Sequence, residues 1–166
     1  LTLNDNLKEI CLILDSIKEN LLEFERETIN IISCDIDSIQ NHTENRVSIT
    51  SKMDESFKKI DEICSSMEKG SEIRKIIRNV SNYSSVEPEN EPVFLKAQSI
   101  FSIVNRIKDS DIQAVDRINL EKNILLKKIK DINNGQEAKA SKFKIGTSND
   151  GSKLHFNNNS KSVWFF

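Results

Sequence analysis

Side chains able to do chemistry are few in this sequence and badly spaced for it. The two histidines, His42 and His155, lie 113 positions apart and in different expected elements. A histidine metal site needs several such ligands converging, and a Ser-His-Asp system needs an oriented base, so neither arrangement is expected. His42 reads as a residue on a wet helix face and His155 as one on the exposed face of a strand. Cys11, Cys34 and Cys64 form no C-x-x-C pair. Three is an odd number, and cysteines this widely separated in helical segments read neither as a zinc cluster nor as a disulfide framework. Cys64 falls on an apolar seam, where a small hydrophobe is the default; an interchain Cys64 disulfide would need an oxidising compartment. The four glycines, Gly70, Gly135, Gly146 and Gly151, build no phosphate-binding loop. Asp35-Ile36-Asp37 and Asp109-Ser110-Asp111 lack the spacing of a calcium loop and read as solvated helix faces. No catalytic residue, metal or cofactor is therefore expected.

Sequons at Asn41, Asn79, Asn82 and Asn158 would matter only in a secreted chain. The unpaired cysteine pattern leans instead toward the cytoplasm. The cluster Lys127, Lys128 and Lys130 has no aromatic interleaving, so an acidic helix is a better partner for it than nucleic acid. With 24 basic against 26 acidic side chains, the chain also lacks the excess of cations that phosphate binding requires. No run of 18 apolar residues is present to span a bilayer. The expected partners are proteins, not nucleic acid or membrane.

What remains is a scaffold, and its pattern is helical. Among 166 residues there are only four glycines and two prolines, too few for the turns of a β sandwich. Leu3, Leu7, Ile10, Leu14, Ile17, Leu21, Phe24, Thr28 and Ile31 recur in steps of four and three, the heptad spacing that keeps one apolar stripe on a helix. Leu12, Ile13, Leu22 and Ile29 widen that stripe toward a second partner helix. After Ile31 the register slips by one and resumes through Ile32, Ile36 and Ile39, then Met53, Phe57, Ile60, Cys64 and Met67. The phase survives the polar stretch from Gln40 to Arg46, which favours one continuous helix, while the stretch itself is where a fold-back could occur, within residues 40–50. A weaker break is expected at Gly70-Ser71, with Ser71 as a cap.

Residues 83–92, with Pro88 and Pro92, read as the linker, and Pro92 suits the first turn of the next helix. In that second helical segment, 93–134, Ala97, Ile100, Phe101, Val104 and Ile107 share one face. Val115, Ile118, Leu125, Ile129 and Ile132 form another heptad run, with Lys122 snorkelling from the seam. Ser110-Asp111-Ile112-Gln113 resembles a capping box, a place for a kink, and Asn134-Gly135 a helix stop. Over residues 135–166, Phe143/Ile145 and Leu154/Phe156 alternate with polar residues about Ser148-Asn149-Asp150-Gly151, which predicts a small antiparallel β segment. The opening Leu1 and the apolar ending Val163-Trp164-Phe165-Phe166 fit a fragment whose β segment begins a further domain.

The expectation is thus mainly α: long coiled-coil-like helices over 1–82, a returning helix, and a β appendage. Charge divides likewise, with 8 basic and 15 acidic side chains in residues 1–69 but 11 and 9 in residues 70–134. An unbroken helix over residues 3–69 would be about 100 Å long, against about 40 Å for the diameter of a compact chain of this size. Either the chain is a rod that buries its stripe on a second copy, or it turns near 40–50 and forms a monomeric bundle. The first alternative makes it a non-enzymatic oligomerisation and scaffolding module, a homodimer with interface residues Leu7, Ile10, Leu14, Ile17, Leu21, Phe24, Met53, Phe57, Ile60, Val115, Ile118, Leu125 and Ile129. The second makes it a helical-bundle adaptor. The order of long helix, proline-bearing linker, returning helix and β structure resembles the coiled-coil regions of tripartite-motif ubiquitin ligases. That resemblance implies a ligase fragment, although no RING or B-box cysteine/histidine motif accompanies it.

Overall fold

A computed structural model describes the backbone over residues 3–142 and side-chain burial over residues 4–135. The elements are α1 (Leu3–Ser33), α2 (Ile36–Ser65), α3 (Gly70–Ile77), two single 3₁₀ turns (Tyr83–Ser85 and Pro88–Asn90) and α4 (Glu91–Lys142). Among the described residues there is no strand; the expected β segment about Phe143, Ile145, Leu154 and Phe156 lies outside them. The chain divides into two compact units, Leu1–Glu121 and Lys122–Phe166.

In the first unit α1 and α2 fold back on each other, and the reversal differs from the expected one. It occurs at Cys34-Asp35, where Asp35 takes an extended backbone (φ −65°, ψ 152°) ahead of α2. Residues 40–50 are helical instead, because nothing there breaks a helix and their polar groups have partners. Thr43 and Thr50 donate to the carbonyls of Ile39 and Arg46, at 2.8 and 2.9 Å, and Gln40 donates to Glu44 at 2.8 Å. The one-residue slip after Ile31 is thus the signature of the turn, and the polar gap is a contact surface. The unbroken helix needed for a rod, or for the tripartite-motif arrangement, is replaced by a helical hairpin.

Gly70 opens α3 for a reason other than capping. A Cβ placed there would stand 1.8 Å from the carbonyl oxygen of Cys64, so only glycine lets α3 start this close to the end of α2. Lys69, not Ser71, holds the position before the helix. Just past the end of α3 and its C-cap Arg78, Asn79 has a left-handed φ of 56° that aims the Val80 amide back at the Lys75 carbonyl (2.9 Å). Asparagine tolerates that conformation better than most residues. The 83–92 linker is tied down: Lys69 meets Glu87 at 2.7 Å, Tyr83 donates to Glu91 at 2.7 Å, and the Tyr83 and Phe94 rings lie 5.5 Å apart.

α4 then runs beside α1 in the same direction. Lys96 pairs with Asp15, Arg106 with Glu25 and Arg117 with the carbonyls of Ile32 and Cys34, advancing together along both helices. Ala97, Ile100, Ile103, Ile107 and Ala114 face inward. The capping-box sequence at Ser110 produces no break, since Asp111 is spent on an ion pair with Arg46 of α2. Nor does α4 stop at Asn134-Gly135. Nothing lies within 4 Å of a Cβ at Gly135, and its backbone φ is not positive, so the helix passes through it to Lys142.

One core joins these elements: Leu7, Ile10, Leu14, Ile17, Leu21 and Phe24 of α1; Ile49, Met53, Ile60 and Cys64 of α2; Ile73 and Ile76 of α3; and Val93, Phe94, Ile100, Ile103 and Ile107 of α4. At about 1.5–3 kcal/mol for each fully buried aliphatic side chain, this burial is the principal stabilising term.

Candidate interaction surfaces

The residues expected to form an interface part into two groups. Leu7, Ile10, Leu14, Ile17, Leu21, Phe24, Met53 and Ile60 are buried within their own chain, and Phe57 packs half-buried against the same core. That ridge is therefore covered by α2, α3 and α4 and needs no second copy. The other group is on α4. In the first unit Val115 is 45% exposed and Ile118 half-buried; in the second, Leu125, Ile129 and Ile132 are 46%, 53% and 59% exposed.

Within the second unit's helical segment the four apolar residues Leu125, Leu126, Ile129 and Ile132 fall within about a third of the helix circumference at 100° per residue, giving a continuous stripe. Lys122 lies in the stripe, and Lys128 and Lys130 flank it on opposite sides. Every residue from Lys122 to Gly135 is exposed. Lys122, Lys127, Lys128 and Lys130 make no ion pair with a described residue, so their charge is directed to solvent.

The outward face of α1 has a complementary character. Leu12, Leu22 and Ile29 are exposed on the side opposite the core, and Glu9, Glu19 and Glu23 lie among them without an ion pair to a described residue. Near the start of this face an open groove of about 830 Å³ runs between the first turns of α1 and α4, floored by Leu7, Cys11, Pro92 and Val93 and crossed by the Lys96–Asp15 pair. Burial pushes the Cys11 thiol above its ordinary range despite nearby Lys96, and does the same to Cys64 despite Arg74. Thiols held protonated are poor nucleophiles, so the groove offers apolar surface rather than reactivity.

Polar contacts, part-buried or exposed, fasten the bundle. His42 Nδ1 lies 2.7 Å from Glu27 Oε2, and Asn45 donates to the same oxygen at 3.1 Å. Burial works to raise the Glu27 carboxyl, but these hydrogen bonds outweigh it and leave it below the ordinary range. The Arg46 guanidinium lies 4.3 Å over the Phe24 ring while pairing with Asp111, joining α1, α2 and α4 at one point. Glu25 is held low by its hydrogen bonds from Arg106.

Two arginines that sequence reasoning passed over finish the helix ends. Neither α1 nor α2 carries a basic residue in its last turn, where free carbonyls concentrate negative potential. Arg117 supplies the cation for α1, donating to the carbonyls of Ile32 (3.1 Å) and Cys34 (3.4 Å) while Glu121 holds its other side at 2.9 Å. Arg74 does so for α2, donating to the Asp61 carbonyl at 2.9 Å and to Ser65 Oγ at 2.6 Å. The signal for Arg117 was an arginine beside the apolar Val115 and Ile118, with a carboxylate four residues on at Glu121.

Among the described residues no group of three histidine, cysteine or carboxylate side chains could hold a metal ion, and no helix is long and apolar enough to cross a membrane. No family model matches the chain, and no curated protein or solved structure is similar enough to it to count as a match.

Proposed function

We propose that this chain is a non-enzymatic helical scaffolding module that associates through the apolar stripe of α4, forming a homodimer. The observation that supports the reading is the exposure of Leu125, Ile129 and Ile132 at heptad spacing. Three large aliphatic side chains on one stripe mark a protein contact more often than a solvated surface. The bundle formed by α1 to α4 in the first unit serves as the rigid body that carries contacts, and the three free cysteines fit a cytoplasmic setting. A second reading, a monomeric adaptor, draws on the enclosure of the α1 ridge by its own chain.

Light scattering after size exclusion, on the full chain and on a Leu125→Lys/Ile129→Lys variant, separates the two. A dimer that the double variant dissociates, with unchanged far-ultraviolet circular dichroism, supports the scaffold. A parent chain that stays monomeric at every concentration leaves only the adaptor.

A further inference from the structure

Resting on that reading, we propose that the lysines bordering the α4 stripe act as a charge gate on its self-association, so that the contact tightens when their charge is screened or removed. In a two-fold dimer made by one stripe, the same patch lies on both sides of the contact whichever way the two helices run. Whatever charge borders the stripe therefore faces itself. From Lys122 to Lys142, α4 carries six lysines against Asp131 and Glu137. Three of the six surround the apolar residues: Lys122 lies within the stripe, and Lys128 and Lys130 stand on either side of it at 100° per residue. Lys127 and Asp131 fall near the opposite pole of the helix, away from the seam.

Between Lys122 and Gly135 no carboxylate borders the stripe to offset these cations, which make no ion pair with a described residue. Glu121, next to Lys122, is held by Arg117 at 2.9 Å. Pairing two copies thus gathers like charges around a seam whose attraction is apolar: burial of Leu125, Ile129 and Ile132 favours the contact, and the lysines oppose it. Dissolved salt separates the two contributions. Packed helix axes stand about 8–10 Å apart, close to the screening length of about 10 Å at about 0.1 M ionic strength and well beyond the length of about 3 Å at about 1 M. Repulsion across the seam is therefore felt at low ionic strength and largely cancelled at high.

The test is sedimentation equilibrium of the full chain, comparing the parent with Lys122→Gln/Lys128→Gln/Lys130→Gln and, as a control on the far side of the helix, Lys127→Gln. Glutamine matches lysine in helix propensity, and circular dichroism verifies the fold. The parental dissociation constant should fall about threefold to tenfold between about 0.02 and about 0.5 M sodium chloride. At the lower salt the triple variant should associate about threefold to tenfold more tightly than the parent, and it should lose most of the salt dependence. That loss distinguishes relief of lysine repulsion from a general strengthening of apolar contacts by salt. Lys127→Gln should stay within about twofold of the parent. The proposal is overturned if the parental constant is flat or rises with salt, a rise being the mark of an acidic surface as the partner of the stripe, or if the triple variant associates no more tightly than the parent. Failure of the underlying reading looks different: parent and triple variant are both monomeric at every salt concentration, or Leu125→Lys/Ile129→Lys leaves association intact.

Discussion

Two segments of this chain carry heptad stripes of similar composition and meet opposite fates. Residues 7–24 of α1 are enclosed by three other elements, whereas Leu125, Ile129 and Ile132 of α4 remain in contact with solvent. A heptad stripe specifies that a helix is amphipathic. It does not specify whether the covering surface comes from the same chain, because that depends on where the chain reverses, and here a two-residue reversal decides it.

The contrast is most directly broken by truncating one residue in each segment. Ile17→Ala removes a fully buried side chain and should cost about 2–5 kcal/mol in denaturant unfolding. Ile129→Ala should change the stability of the isolated chain by no more than about 0.5 kcal/mol. Equal losses would mean that the α4 stripe is as enclosed as the α1 ridge. The two glycines give a second comparison. Gly70→Ala drives a methyl group into the Cys64 carbonyl and should destabilise by about 3 kcal/mol or prevent folding. Gly135→Ala meets open space in a helix and should be stabilising by about 0.5–1 kcal/mol, read as increased helicity at 222 nm.

A smaller effect is expected at the reversal. Arg117→Ala leaves the α1 carbonyls uncapped and should cost about 1 kcal/mol, whereas Arg117→Lys should recover only part of it, because one ammonium cannot span two carbonyls and Glu121 as the guanidinium does. Smallest is the acid response. Glu25 and Glu27 have folded-state values below their unfolded ones, so their contribution is fully present above the unfolded value of about 4.3 and disappears as pH falls through the lower folded values. The melting temperature should therefore decline below about pH 4, and Glu25→Gln should flatten that decline.

The core positions of α1, with Met53, Ile60 and Cys64 of α2, were legible because burial imposes periodicity on hydrophobic residues. The reversal was not, since Cys34-Asp35 contains neither glycine nor proline, and its only trace was a one-residue change of register. The polar run from Gln40 to Arg46 misled for a related reason: polarity does not distinguish a side chain facing water from one facing another helix. His42 faces Glu27 and Arg46 faces Phe24 and Asp111, partners 15 to 65 residues away that local pattern cannot reveal. Of the candidate contact surface, the α4 heptad was readable. The acidic side of α1 was visible only as a widened stripe, because outward and inward apolar residues look alike until the helix is packed.

Arg117 also imposes an order of events on biosynthesis. Its acceptors on Ile32 and Cys34 precede it by 85 and 83 residues. While the polypeptide is emerging from the ribosome, the first hairpin has all of its own residues long before the guanidinium that closes its corner exists. The corner can be locked only after most of α4's first 31 residues have left the exit tunnel, so the amino-terminal pair of helices is completed by one of the last parts of the unit to be made.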